Sequence, residues 1–173
     1  MISINRRDNI IKLLLESNEP LKGGVIAKRY SVTRQVIVKD IAILRAKGER
    51  IIATPDGYMI NKNEHKVKSI IAVTHTEEEI FDEMSIIIKY GGTIEDVIVE
   101  HPLYGEITGM LMIKNNNELN KFIQKYKQQD ARLLSVLTNG VHLHTISAEN
   151  QEDINLIILE LRECNFIVSD MED

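Results

Sequence analysis

The stretch Val25-Ile-Ala-Lys-Arg-Tyr-Ser-Val-Thr-Arg-Gln-Val-Ile-Val-Lys-Asp-Ile-Ala-Ile-Leu44 decides how the N-terminal part of the chain folds. Apolar residues recur at helical spacing in two runs, which are Val25, Ile26 and Tyr30, then Ile37, Ile41 and Leu44. Between the runs, Thr33 is a good N-cap for the second helix, and Gly48 supplies its stop. Two short helices joined by so tight a turn are typical of a helix-turn-helix.

The residues on either side of this stretch predict a winged helix. Residues 5–17 place apolar side chains at helical spacing and predict a leading helix. After the third helix, Thr54-Pro-Asp-Gly57 separates two β-prone segments, residues 50–53 and 58–60. Pro fixes φ and Gly allows a positive φ, so these residues predict a small hairpin. We therefore expect a winged helix over residues 1–62.

The charge of this first part indicates nucleic-acid binding. Residues 1–62 contain 12 Lys and Arg against 6 Asp and Glu, a balance of +6, whereas residues 63–173 contain 9 against 20, a balance of −11. A basic module joined to an acidic one is typical of a nucleic-acid reader that carries a separate domain. The alternative is a winged helix that makes protein contacts and has an ordinary charged surface.

The third helix carries the candidate contacts to double-stranded DNA. Its apolar stripe must face the other helices, and the early positions of a recognition helix reach base edges. An arginine there could bind guanine and a glutamine could bind adenine, each through two hydrogen bonds. The predicted DNA-binding residues are Thr33, Arg34, Gln35, Val38 and Lys39.

A polar connector at residues 61–66 precedes alternating strand and helix patterns. The predicted strands are residues 67–73, 93–100, 106–113, 133–138, 141–146 and 166–168, and the predicted helices lie at 77–90, after 115–117 and around 154–161. Asn139-Gly140 would join two of these strands as a two-residue hairpin turn. Helices on one face of a largely antiparallel sheet make an open-faced α/β sandwich over residues 66–173, so the fold class is α+β.

Histidines in this second part suggest a metal site. His142 and His144 point to the same side of a predicted strand, close enough to hold one ion together. His75 lies at a strand-to-helix junction, where sites are commonly assembled, and helix phase turns Glu83 inward while Glu79 faces water. The predicted ligands are therefore His75, Glu83, His142 and His144, and this set would suit Ni, Zn, Co, Mn or Fe. The alternative is that polar neighbours satisfy the histidines and that the glutamates form a solvated first turn.

Several other classes of protein find little support. A single cysteine gives no disulfide framework, and no secretory signal or membrane span is visible, so we expect a soluble, cytoplasmic protein. The sequence contains no nucleophile elbow, phosphate loop or HExxH motif, which are motifs that would indicate an enzyme. A metal-dependent enzyme acting on a small carboxylate stays open as an alternative, with His101 or Glu106 as acid or base. Phosphoryl transfer to His101 is a third possibility.

Four segments resemble the NiaR-type repressors of NAD biosynthesis, which join a winged helix to a 3H domain. They are Ser31-Val-Thr-Arg-Gln-Val-Ile-Val-Lys-Asp-Ile-Ala42, Ala53-Thr-Pro-Asp-Gly-Tyr58, Val97-Ile-Val-Glu-His-Pro-Leu-Tyr-Gly-Glu106 and Gly140-Val-His-Leu-His-Thr-Ile146. The resemblance covers essentially the whole chain. It implies a repressor of niacin uptake and NAD-synthesis genes with nicotinic acid as co-repressor. It also implies a metal site on His75, Glu83, His142 and His144.

This resemblance leads to a hypothesis about signalling. Nicotinate is a small aromatic carboxylate, and the acidic domain offers only Arg132 and Arg162 as forked partners for it. A metal with an unfilled position could anchor the carboxylate or the pyridine nitrogen instead. His101 and Tyr104, on a loop restricted by Pro102, could supply the remaining hydrogen bonds. Binding would bias the placement of two winged helices in a homodimer.

Overall fold

A computed structural model describes residues 3–60, 65–129 and 132–168 and divides the chain into two units, Met1–Glu64 and His65–Asp173. Helices and antiparallel sheets both occur, so the predicted α+β class is confirmed. The predicted first boundary at Lys62 and most of the predicted connector lie outside the described residues. In the described part of the chain, no helix is long and apolar enough to cross a membrane.

The first unit is the predicted winged helix. Its elements are α1 (Ser3–Glu16), α2 (Gly23–Arg29), α3 (Arg34–Ala46), β1 (Ile51–Thr54) and β2 (Gly57–Ile60). Thr33 is the N-cap of α3, and its hydroxyl oxygen accepts the Val36 N–H at 3.4 Å. The apolar stripes converge in one core, which contains Ile10, Leu14, Ile26, Ala27, Ile37, Ile41, Leu44 and Ile51.

A buried ion pair that the sequence analysis missed ties α1 to α3. Asp40, 3% exposed, accepts a hydrogen bond from Arg6 Nε at 2.7 Å and a longer one from Arg7 Nη1 at 3.4 Å. Removing either partner of such a pair leaves a charge with too little water around it. Arg6 and Arg7 therefore contribute to the packing of α1 against α3.

The hairpin β1–β2 is anchored at its turn. Leu21 and Tyr58 exchange two backbone hydrogen bonds, at 2.8 and 2.9 Å, which adds a short third strand to the wing. Gly57 has φ +140°, and a Cβ there would lie 2.4 Å from the carbonyl carbon of Leu21. Only glycine allows both the conformation and the close approach.

The second unit is an open-faced sandwich, as predicted. Its elements are β3 (Val67–Thr74), α4 (Ile80–Lys89), β4 (Thr93–His101), β5 (Gly105–Ile113), α5 (Asn116–Gln128), β6 (Val141–Ala148) and α6 (Gln151–Glu163). The strands are antiparallel in the order β3-β6-β4-β5. Residues of all three helices join alternate residues of the strands in a single apolar core, so the helices cover one face of the sheet.

The predicted hairpin before β6 is wrong. Leu134–Thr138 form a 3₁₀ helix instead of a strand. Strand β6 is central, with β3 on one edge and β4 on the other, so neither edge can take another strand. The turn chemistry itself was read correctly, because Asn139 and Gly140 have φ values of +52° and +96°, as an Asn-Gly turn requires.

Two smaller predictions also need correction. The helix predicted at residues 77–90 begins with a 3₁₀ turn, Glu77–Glu79, and becomes α-helical only at Ile80. The strand predicted at residues 166–168 is an isolated bridge between Val73 and Ile167. Edge strand β3 therefore gains a short partner, which covers part of its exposed hydrogen-bonding edge.

Candidate functional site

Strand β6 places two imidazoles on the face of the sheet that the helices cover. His142 and His144 are two residues apart, so they point to the same side, and they are only 4% and 2% exposed. Their ring centroids lie 4.8 Å apart, with the ring planes at right angles. This pairing was predicted from the sequence, although residues 133–138, predicted as the neighbouring strand, do not pair with β6.

Two further predicted ligands approach the same place. His75 follows β3 directly, and its ring centroid lies 4.9 Å from that of His142. Glu83 lies on the face of α4 that meets the sheet and is completely buried. In contrast, Glu79 is exposed and accepts hydrogen bonds from the Thr76 N–H and hydroxyl, each at 2.8 Å. The predicted choice of Glu83 over Glu79 therefore agrees with the orientation of the two side chains.

Backbone carbonyl groups determine which ring nitrogen of each histidine carries the proton. The Nδ1 atoms of His75, His142 and His144 lie 2.7, 2.8 and 2.5 Å from the carbonyl oxygens of Thr76, Gly140 and Asp96, in that order. A carbonyl oxygen only accepts, so each Nδ1 must donate. In a neutral imidazole the Nε2 atom then keeps its lone pair. This is the arrangement that orients metal-binding histidines through their second nitrogen.

Unsatisfied acceptors meet at the centre of this cluster. The Nε2 atoms of His142 and His144 lie 3.2 Å apart, and Glu83 Oε2 lies 3.8 Å from His144 Nε2. Both carboxylate oxygens of Glu83 are buried, and neither has a hydrogen-bond partner in the described part of the chain. Acceptors that face one another in a water-poor interior repel each other unless a proton or a cation lies between them.

The titration behaviour of these groups has one main cause, which is burial. Desolvation raises the pKa of Glu83 to about 8 and lowers the pKa of His142 to about 4. Desolvation and the neighbouring imidazole lower the pKa of His144 to about 3. The two imidazoles are therefore neutral at pH 7, which is the form that binds a metal ion.

The donor set fits a divalent transition metal in its chemistry. Within residues 3–60, 65–129 and 132–168, no three His, Cys, Asp or Glu side chains are grouped closely enough to hold a metal ion as they stand. However, two nitrogens bound to one tetrahedral Zn²⁺ lie roughly 3.3 Å apart, close to the 3.2 Å between His142 Nε2 and His144 Nε2. Within the same ranges, the buried carboxylate of Glu83 accepts no hydrogen bond that would give it a structural role in the fold.

Two cavities lie near the histidines. A small one of about 40 Å³ has walls from the helices, the sheet and the 3₁₀ helix, among them His75, Met84, Phe122, Leu134, Ser135 and His144. A larger, open one of about 590 Å³ lies where β4, β5 and β6 meet the end of the 3₁₀ helix, and includes Glu100, Gly105, Glu106, Thr138 and His142 in its lining. Only the larger cavity has the volume of a small-molecule site.

The two predicted effector-binding residues lie on the turn between β4 and β5. His101 Nδ1 accepts the backbone N–H groups of Leu103 and Tyr104 at 3.2 and 3.3 Å, so His101 closes this turn. The ring centroids of His101 and Tyr104 are 5.0 Å apart, and Tyr104 is 71% exposed. Within the described residues, neither ring forms a hydrogen bond or a ring contact with the four predicted metal ligands. Their proposed role in effector binding remains a prediction.

Three contributors to the site were missed because their roles come from backbone atoms. The carbonyl groups of Thr76, Gly140 and Asp96 orient the three imidazoles, and a carbonyl leaves no signature in residue type. Gly140 has a partial signal, since an Asn-Gly turn implies an unusual backbone at this position. Ser135, which is 8% exposed, was assigned to a strand and so was not expected beside the histidines.

The predicted DNA-facing residues all reach the surface of the first unit. Thr33, Arg34, Gln35 and Lys39 are exposed, and so is Val38, an apolar residue with 44% exposure. The opposite side of α3 is buried against the other helices through Ile37, Ile41 and Leu44. The first two turns of α3 are therefore free to enter a DNA groove.

Comparisons with known proteins agree with both units. Residues 68–170 match the 3H domain, and residues 6–59 match an HTH domain. The probable transcription repressor NiaR of Thermotoga maritima is 41% identical over 165 residues, which are 95% of this chain and 94% of that protein. The transcription repressor NadR of Bacillus subtilis is 38% identical over 174 residues, which are 98% and 97% of the two chains.

A more distant relative shares only part of the chain. An uncharacterized protein of Methanothermus fervidus is 34% identical over 101 residues, which are 54% of this chain and 16% of that protein. The near-full-length matches confirm the family resemblance that was inferred from four segments of the sequence. The chain therefore belongs to the NiaR and NadR family of transcription repressors, in which an HTH domain precedes a 3H domain.

Proposed function

We propose that this chain represses genes of NAD biosynthesis and niacin uptake, and that its 3H domain holds a divalent metal ion and senses nicotinic acid as co-repressor. The observation that carries the sensing role is a cluster of three Nδ1-protonated imidazoles, one of which, His144, lies 3.8 Å from a buried Glu83 carboxylate that accepts no hydrogen bond within the described residues. The repressor role is supported by near-full-length similarity to proteins named as transcription repressors.

The metal ion is proposed to be held by His75, Glu83, His142 and His144. Three imidazoles and one carboxylate suit Ni, Zn, Co, Mn or Fe, and ligand type does not choose among these ions. When bound, such an ion supplies a Lewis-acidic position that can take a carboxylate or a pyridine nitrogen. The chain's own contribution is to orient the imidazoles through carbonyl groups and to exclude water from them.

Nicotinic acid is proposed to bind at the end of the sheet. The cavity of about 590 Å³ has His142 in its wall, and Glu100, Gly105 and Glu106 bring the β4–β5 turn to its rim. His101 and Tyr104 belong to the same turn and are proposed to contact the ligand from there. Because the glutamates at the rim repel a carboxylate, the anion needs a cationic anchor, which the metal ion would supply.

The response is proposed to reach DNA through a homodimer. Thr33, Arg34, Gln35, Val38 and Lys39 of each copy would contact one half of an operator, as in other dimeric helix-turn-helix proteins. A ligand that changes the relative placement of the two reading helices needs a coupling of only about 1 to 3 kcal/mol to alter operator affinity roughly 5- to 150-fold.

The test is operator binding by the full chain, with DNA selected from random fragments by the purified protein. Affinity is measured with and without nicotinic acid, on metal-loaded and metal-free protein, and nicotinamide serves as the ligand control. We expect tighter binding only when both metal and nicotinic acid are present. His142→Ala and His144→Ala should abolish this response, and His65→Ala, an exposed histidine outside the cluster, should keep it. An unchanged response in both cluster variants would contradict metal-dependent sensing.

The alternative of a metal-dependent enzyme is tested separately. It would use His101 or Glu106 as acid or base, and His101 Nδ1 is already engaged by two backbone N–H groups. Turnover of nicotinic acid or nicotinamide by purified, metal-loaded protein would support the enzyme. We expect both compounds to be recovered unchanged.

A further inference from the structure

An irregularity in strand β4 lies directly beside His144. Between the pairs Ile94–Ile146 and Ile98–Leu143, β4 has three residues, 95–97, where β6 has two, 144 and 145. The extra residue makes this a β-bulge, in which one strand bends and a stretch of the ladder is lost. Bulges commonly lie next to functional sites, where they redirect a group that a regular strand would leave in the plane of the sheet.

At the bulge, Asp96 makes two contacts with β6. Its backbone carbonyl oxygen accepts from His144 Nδ1, on the face that the helices cover. Its side-chain Oδ1 accepts the Thr145 backbone N–H at 2.9 Å. Asp96 is only 8% exposed, so both contacts are shielded from water.

In these two contacts, a side-chain oxygen of Asp96 replaces a backbone carbonyl oxygen as the acceptor for β6. In a regular antiparallel ladder, a β4 carbonyl would accept the Thr145 N–H, and no carbonyl would point out of the sheet toward a ring on its face. Here the carboxylate takes the place of that carbonyl in the ladder. The carbonyl is thereby free to bind the imidazole, and the Thr145 N–H still has a partner.

We propose that Asp96 is a positioning residue for His144: its side chain satisfies the Thr145 N–H, so that its own carbonyl group holds His144 in the Nδ1-protonated, metal-binding form. The inference rests on the proposed metal-binding function, and it extends that function to a residue outside the four predicted metal ligands. Without the carboxylate, the carbonyl would rotate back into the ladder to pair with Thr145, and His144 would lose its orientation.

The first test is metal affinity of the full, metal-free chain, by titration of Zn²⁺ and of Ni²⁺ against a chelating indicator. Asp96→Ala should bind both ions about 10- to 100-fold more weakly, which is the usual effect of losing an outer partner of a metal-binding histidine. Asp96→Asn keeps an acceptor oxygen for Thr145 and should retain the parent affinity. Glu95→Gln is the matched control, because Glu95 lies on the same bulge and pairs with Lys68 at 2.6 Å.

The second test needs no metal. Nitrogen-15 shifts of the His144 ring, assigned with His144→Ala, report which nitrogen carries the proton. Parent and Asp96→Asn should show the Nδ1-protonated form, and Asp96→Ala should show a mixture, with thermal unfolding confirming that each variant is folded.

Equal affinity in folded Asp96→Ala and parent would overturn the proposal, as would equal weakness of the alanine and asparagine variants. A parent chain that binds neither ion would instead overturn the proposed metal site. In that event an unchanged ring tautomer in Asp96→Ala would also remove the positioning role of Asp96, whereas a changed tautomer would establish it for the fold alone.

Discussion

The Nε2 atoms of His142 and His144 face each other at 3.2 Å while both Nδ1 atoms are held by backbone carbonyl groups. Two neutral imidazoles in this arrangement present lone pair to lone pair in a nearly dry interior. The fold therefore keeps the two rings in contact at an electrostatic cost. A bound cation removes that cost, and metal binding should therefore stabilise the second unit.

Metal loading should raise the thermal stability of the second unit. Zn²⁺ or Ni²⁺ at about 100 times its dissociation constant would stabilise the folded state by about 2.7 kcal/mol, which corresponds to several °C. His142→Ala and His144→Ala should lose most of this shift, measured by differential scanning calorimetry. His65→Ala should keep it, since His65 is exposed and outside the cluster. Equal shifts in all three variants would place the ion elsewhere.

Glu83→Gln should stabilise the metal-free protein while weakening metal binding. Burial raises the pKa of Glu83 from 4.5 to about 8, so the folded state holds this proton more tightly than the unfolded state. The stabilisation of the folded state by protonated Glu83 is thus fully present below about pH 4.5 and is lost as the pH rises through about 8. Glutamine does not ionise, so the variant does not lose stability in this way.

The measurement for Glu83 is the melting temperature of both metal-free proteins between pH 5 and 9. The difference in melting temperature should grow by several °C toward high pH. The histidines are the same in both proteins, so their pH-dependent contributions cancel in this difference. Glu78→Gln, an exposed neighbour, is the control and should follow the parent. A constant difference across this range would show that Glu83 is not a buried, ionising carboxylate.

Substitutions at the start of α3 should separate base contacts from phosphate contacts. Arg34→Ala and Gln35→Ala should each cost about 1 to 3 kcal/mol on the operator and reduce discrimination against altered bases. Lys39→Ala should weaken binding to all sequences alike and reduce the slope of log affinity against log salt by about 1. Lys12→Ala, an exposed lysine on α1, is the control. Fluorescence anisotropy at several salt concentrations measures all four.

Breaking the ion pair under α3 should destabilise the first unit without removing a DNA contact. Asp40→Asn leaves Arg6 and Arg7 with little compensation, at 12% and 15% side-chain exposure. We expect a loss of roughly 1 to 3 kcal/mol in the free energy of unfolding, measured by urea titration. Operator affinity at low temperature, where the unit stays folded, should change little. Asp8→Asn, which is exposed, should leave stability as it is.

Substitutions on the β4–β5 turn should separate the sensing of nicotinic acid from metal binding. Tyr104→Ala should weaken binding of nicotinic acid to metal-loaded protein and leave Zn²⁺ affinity unchanged. Glu100 and Gly105, on either side of the turn, line the large cavity, and within the described residues no hydrogen bond or ring contact joins Tyr104 to the predicted metal ligands. Isothermal titration calorimetry measures both. Leu103→Ala is the control on the same turn, since Leu103 is exposed to a similar extent, at 76%. Loss of Zn²⁺ binding in Tyr104→Ala would contradict this separation.

Local patterns in the sequence were enough to predict most of the elements. Ile37, Ile41 and Leu44 gave the phase of α3 and therefore the exposure of Arg34 and Gln35, because one helix face excludes the other. The same argument turned Glu83 inward and Glu79 outward, which the burial of Glu83 agrees with. Such predictions succeed because helical and strand periodicities depend on neighbours within a few positions.

Long-range pairing explains the error at residues 133–138. The apolar residues of the segment 133–138 are typical of a strand, and Asn139-Gly140 is typical of a hairpin turn. A strand can form there only if one edge of β6 is free. Both edges are occupied, by β3 and β4, which are distant in sequence. No local pattern records which strands a central strand will pair with.

Sequence by itself determined the two-part organisation, the α+β class, the reading face of α3 and the shared side of His142 and His144, since each follows from periodicity, turn chemistry or charge. Only the tertiary structure decided the order β3-β6-β4-β5, the Arg6–Asp40 pair and the carbonyl groups that orient the imidazoles. These features join residues that lie 33 or more positions apart or use backbone atoms common to all residues. Chain packing, rather than residue type, therefore determines the protonation pattern of the site.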